Sequence, residues 1–141
     1  MNHLSLSDSV LFAQDIADQT ASANVNGTAI DMQGWTGCLF AFNIGAMGSG
    51  ATFDARIVSS PNSNMSGATN ITNAALTQVT NASNTNVAII DVWNPSQRYL
   101  RSATQPATAN VTFGSISVRY RRDGLLPPTQ SAQQVVKVAA N

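Results

Sequence analysis

The 141-residue chain has no glutamate, and it has one lysine, one histidine and one cysteine. Glu and Lys are the residues a soluble helix places on its wet face, so their scarcity excludes long surface helices. The single cysteine, Cys38, excludes an intrachain disulfide and a metal site closed by cysteines. The single histidine, His3, stands at the start of the chain, with no second imidazole for a metal site or a Ser-His-Asp triad. Apolar runs such as Cys38-Leu39-Phe40-Ala41-Phe42 fall far short of the ~20 residues of a membrane-spanning helix. Met1-Asn2-His3-Leu4 lacks the basic start and apolar block of a secretory signal, and none is expected. The formal net charge is zero, which removes the positive field of a general nucleic-acid binder.

What fills the chain instead is Asn, Ser and Thr, 42 residues in all. These side chains compete with a helical backbone for hydrogen bonds and suit strand faces and turns. The expected class is therefore all-β. Five Asn-x-Ser/Thr sequons occur, as composition alone predicts, and without a secretory route they carry no function. Charge is unevenly placed. Asp8, Asp15, Asp18, Asp31 and Asp54 precede the first basic residue, Arg56, and only Asp91 and Asp123 follow it. The two sets either scatter over one folded surface or attract each other between copies.

The residue pattern divides the chain into an N-terminal arm over 1–20 with one short strand at Ser9 to Phe12, a core over 21–123, and a Pro/Gln-rich tail over 124–141. Within the core, Asn26-Gly27 is a hairpin signal and Ala29 to Met32 a short strand. Trp35 to Ile44 is apolar on both faces, as a central strand is. Thr52 to Ser59 alternates, with Phe53, Ala55 and Ile57 inward. Ser60 to Thr69 is an exposed loop, Leu76 to Thr80 reads as a strand, and Val87 to Trp93 is a further strand. Arg98 to Arg101 is a short strand, and Gln105-Pro106 breaks the chain again. Asn110 to Arg122 is the clearest strand. Its apolar phase slips at Gly114-Ser115, which predicts either a bulge or passage between two environments, with Ser115, Ser117, Arg119 and Arg121 as its polar face. The total, about eight short strands between turn clusters, predicts a single-domain antiparallel β-sandwich or jelly roll with extended arms. The tail, whose sizeable apolar groups are Val135, Val136 and Val138, buries too little to order alone.

Little in the chain points to catalysis. Gly45, Gly48 and Gly50 precede no Lys-Ser or Lys-Thr, so they form a hairpin loop and not a phosphate cradle. Asp8, Asp15 and Asp18 lack the alternation of a calcium loop. Cys38 reads as a small buried hydrophobe. No enzyme activity, cofactor or metal is expected. Trp35 and Trp93 are core or rim groups, or else platforms for sugars. Arg98, Arg101, Arg119, Arg121 and Arg122 form the basic concentration, either a solvated face or an ionic contact with a neighbouring subunit. Leu125, Leu126, Pro127, Pro128, Val135 and Val136 join them as candidate subunit contacts in the tail.

Several phrases are similar to small virion proteins of tailed bacteriophages. They are Leu6-Ser7-Asp8-Ser9, Asp31-Met32-Gln33-Gly34-Trp35 before an apolar strand, Ala75-Leu76-Thr77-Gln78-Val79, Val87 to Asp91, Arg98-Tyr99-Leu100-Arg101, and an Arg-rich last strand before a Pro/Gln tail. The pattern resembles the capsid cement or head-decoration proteins over most of residues 6–130. The resemblance implies a structural protein on the outer surface of the virion capsid, made in the bacterial host cytoplasm. It implies the major capsid protein and further copies of itself, as homodimer or homotrimer, as partners, and neither nucleic acid nor membrane. Alternatives within the virion are a tail-tube or joining protein; outside it, a carbohydrate-binding β-sandwich.

Overall fold

The computed structural model describes residues 6–121 and 135–139, apart from the side chains of Asp8, Val135, Lys137 and Ala139. The chain is all-β: two sheets pack face to face as a sandwich. After a helical turn, α1 (Leu6–Ser9), the strands are β1 (Val10–Ala21), β2 (Val25–Asn26), β3 (Ile30–Asp31), β4 (Gly37–Met47), β5 (Thr52–Ser60) and β6 (Thr69–Ala75). There follow β7 (Val79–Thr80), β8 (Val87–Trp93), β9 (Tyr99–Ala107), β10 (Val111–Tyr120) and β11 (Val135–Ala139). Three of these, β2, β3 and β7, have two residues each, which leaves eight longer strands, as the turn spacing predicts. The first sheet runs β1-β10-β4-β8-β11; the second runs β2-β9-β5-β6, with β3 on β9 and β7 on β5.

Period-two patterning explains the central packing. On β4, Cys38, Phe40, Phe42 and Ile44 are buried inward while Leu39, Ala41 and Asn43 face out. Phe53, Ala55 and Ile57 of β5 and Ala88, Ile90 and Val92 of β8 do the same. Phe53 stands at the middle, its ring 4.9 Å from Phe113 and 6.3 Å from Phe42. β4 is the third of five strands, the central place expected of it. Several Asn positions also have a geometric reason: Asn73 within β6 and Asn86 and Asn94 in the loops flanking β8 sit at φ of 65°, 75° and 52°, a region Asn tolerates better than most residues.

Five sequence expectations change. First, the N-terminal stretch is not an arm with one short strand, because β1 runs for 12 residues along β10 and buries Asp15 and Ile16. Second, Asn26-Gly27 turns no hairpin. β2 pairs with β9, and glycine is needed there for space, since a Cβ on Gly27 would lie 1.9 Å from Asp15 Oδ1. Third, Leu76 to Thr80 holds strand only at Val79–Thr80, and β6 occupies Thr69–Ala75. Fourth, Pro106 does not end its strand; it pairs with Phe53 inside β9. β2 flanks β9 only at Ala103 and Thr104, so at Pro106 the missing N–H falls where that neighbour has ended.

Fifth, Ser115 and Ser117 of the polar face of β10 lie inward, and no bulge sits at Gly114-Ser115. Val111, Phe113, Ser115 and Ser117 all face inward and are buried, while Ile116 points out and is 46% exposed. The strand keeps its phase and passes from an apolar to a polar interior, the second of the two alternatives. The bulges lie elsewhere, in β1 around Ile16 and in the β10–β4 register between Val111 and Phe113. Part of the tail is ordered. Its residues 135–139 form β11, parallel to β8, with Val136 and Val138 half-buried against the core. Something does hold it, namely the open edge of β8.

Candidate subunit-contact surface

Three of the five arginines meet at one end of the sandwich. β3 lies beside the start of β9, with Ile30 opposite Leu100 and Asp31 opposite Tyr99. The chain then turns through Gly34, at φ 82°, so that the Trp35 N–H donates to Met32 O at 3.0 Å and the Thr36 N–H to Tyr120 O at 2.9 Å. This places Trp35 beside the C-terminal end of β10. The Arg119 and Arg121 guanidinium carbons stand 5.7 and 5.1 Å from the Trp35 ring centre. Each guanidinium also donates to the turn, Arg119 to Asp31 O at 2.8 Å and Arg121 to Gly34 O at 3.0 Å.

Arg98 closes the cluster as a two-bond fork on Asp31, Nε to Oδ1 at 2.9 Å and Nη2 to Oδ2 at 2.8 Å. The Gln33 N–H donates to the same carboxylate at 3.0 Å. The Arg98 hydrogen bond, then the Gln33 amide, hold the Asp31 carboxyl down at about 2, and Asp31 in turn raises the Arg98 value. Both side chains remain roughly half-exposed, at 47% and 40%. A shallow groove of about 340 Å³ runs beside them, lined by Gln33, Trp35, Asn94, Gln97 and Arg98 among others. The result is an exposed patch in which fixed guanidiniums and an aromatic ring share one rigid frame.

The other candidates lie elsewhere. Arg101 sits opposite Val58 within the second sheet, and among the described residues no hydrogen bond, ion pair or ring contact joins it to the cluster. Arg122, Leu125, Leu126, Pro127 and Pro128 lie outside the described residues. Val135 opens β11, its side chain likewise outside the description. Val136 is turned onto the chain's own core, so it is not a surface contact in this arrangement. Trp35, weighed above as a core or rim group or a sugar platform, packs half-buried at the rim of the core and also centres the arginine cluster, with two guanidiniums over its ring.

Sequence reasoning missed two features. The outer face of the first sheet carries Phe12 at 53% exposure, and Ile116 and Val87 line a depression of about 430 Å³ over Gly114 on it. An unbroken period-two reading of β10 would have found it. The second feature is Asp15, buried at 4% exposure between the sheets. It accepts from Ser102 Oγ of β9 at 2.5 Å and from Ser115 Oγ of β10 at 2.6 Å, while its Oδ1 has no partner of good geometry although the Thr28 amide faces the carboxyl. Burial pushes its pKa up, and the hydroxyls only partly offset this. Burial also pushes the Cys38 thiol far up. Among the described residues no group of three His, Cys, Asp or Glu is placed to hold a metal ion.

No family model matches the chain, and no curated protein matches it.

Proposed function

We propose that this is a structural virion protein that binds the outside of an assembled phage head and stabilises it by bridging capsid subunits. The observation that carries the reading is the Trp35–Arg98–Arg119–Arg121 patch. Tryptophan, tyrosine and arginine dominate the energetics of protein interfaces, because they bring large area and directional donors at low entropic cost. Here they are already held by the Gly34 turn and the Asp31 carboxylate, so little ordering remains for binding. The resemblance of its short phrases to those of head-decoration proteins points the same way. So does the sandwich frame, which suits a protein whose task is to hold position. On a lattice, many weak copies of one contact add up, since each later contact is effectively intramolecular.

The test is cosedimentation of the purified protein with expanded heads of the virus that encodes it, followed by heat challenge of the loaded heads. Binding that survives washing, raises head survival and is lost in Trp35→Ala with Arg119→Ala supports the proposal. Loaded heads no more stable than bare ones reject it. Polymerisation of the pure protein into rings would move the assignment to a tail tube.

A further inference from the structure

β11 differs from every other strand pairing described: it is parallel, and it joins a sheet whose preceding strand in the chain, β10, lies three strands away. β10 ends with Tyr120 opposite Gly37, which is opposite Trp93. β11 starts beside Ile89 and finishes beside Trp93. The chain therefore leaves at one end of the sheet and re-enters four residues further back, across three strand spacings, a separation of ~20 Å. Fifteen peptide steps join Tyr120 to Val135 and reach up to ~50 Å. That exceeds the ~35 Å width of a domain of this size.

The slot itself is generic. It offers the free backbone edge of β8 and room for two inward valines, Val136 and Val138, against the core. Another copy's tail makes the same bonds and fills the same space. We propose that the β8 edge is an exchange site, at which β11 of a second copy replaces the chain's own once copies are held close. In dilute solution the chain's own tail wins through its millimolar effective concentration; neighbours packed side by side match that figure, and the balance shifts without any new contact. This goes beyond the capsid reading and does not depend on it, because the isolated protein suffices to test it.

The experiment mixes two full-length chains at millimolar concentration, one carrying Val135→Cys and the other Ile89→Cys, positions that face each other in the β11–β8 register. Native Cys38 is fully buried and stays out of the reaction. After mild oxidation, heterodisulfide should exceed by about tenfold that formed by Val135→Cys with Gln105→Cys, an exposed position on the other sheet. Adding Val136→Asp to the first chain should return the yield to the control level. Equal yields from the two pairs, or a yield indifferent to Val136→Asp, would overturn the proposal.

Discussion

The two halves of the sandwich interior are built on opposite principles. Around Phe53, the inner faces of β4, β5 and β8 meet as an apolar layer with Phe42, Phe113, Ile57 and Ile90 fully buried. Beside β1, the same two sheets meet through Asp15, Ser102, Ser115 and Ser117, all buried. The first half is held by area removed from water and by ring packing, which is strong and indifferent to pH. The second is held by a few directional bonds around a carboxyl that burial disfavours when charged. Stability should reside at the centre, while condition dependence should reside at the β1 margin.

The largest effect belongs to the centre. Phe53→Ala removes a fully buried ring from between two others and should cost about 3–5 kcal/mol, read from urea or thermal unfolding. A loss no greater than that of a margin substitution would break the comparison. Next comes Gly27→Ala. Its new Cβ would overlap Asp15 Oδ1 and stand 2.5 Å from Ser102 Oγ, so two buried, hydrogen-bonded side chains would have to shift, and it should cost about 1–3 kcal/mol. Ser102→Ala follows, leaving a buried carboxyl short of one donor at about 1–3 kcal/mol.

These positions also show what the amino-acid order reveals and what it hides. The central strands were legible because Phe40, Phe42, Phe53, Ala55 and Ile57 alternate cleanly, and period two has one reading when the inward set is apolar. The margin was illegible for the same reason. On β10 the inward set turns from Val111 and Phe113 to Ser115 and Ser117, so the apolar phase changes at Gly114-Ser115 and period two alone left a bulge and a change of environment as equal readings. The serines are inward because Asp15, 100 residues away in sequence from Ser115, needs their hydroxyls. Gly27 likewise carried a local turn signal, although its reason is the distant carboxylate. In the contact patch, Arg119 and Arg121 were legible as a basic pair. Their stacking on Trp35 depends on the β3–β9 pairing that brings the Gly34 turn to the end of β10, a tertiary fact. β11 was hidden because a tail with three valines orders only on an edge that other strands create.

A finer prediction sharpens the margin itself. Burial raises the Asp15 pKa, so the folded state holds this proton more tightly than the unfolded chain does. Its contribution to stability is full below the ordinary value of 3.8 and is lost as pH rises through the raised one. Asp15→Asn should remove that fall however its amide packs. Unfolding midpoints measured from pH 3 to 8 should decline with pH less steeply in the variant than in the native protein, and parallel curves would show that the carboxyl is not the source.

The smallest effect concerns Asp31, which titrates in the opposite sense. Arg98 and the Gln33 amide hold its folded-state value at about 2, below the ordinary 3.8. Its contribution is therefore present above 3.8 and is lost as pH falls toward 2. Both partners are roughly half-exposed, where water and salt weaken an ion pair, so Arg98→Ala should leave the neutral-pH melting temperature nearly unchanged. Its use lies in the rigidity of the patch. With Arg98 gone, the Asp31 value should return toward 3.8 in a carboxyl-carbon NMR titration, while Asp15 should not respond. Movement of both together would mean that the patch and the buried margin form one coupled network, and the division between an inert centre and two independently titrating aspartates would have to be redrawn.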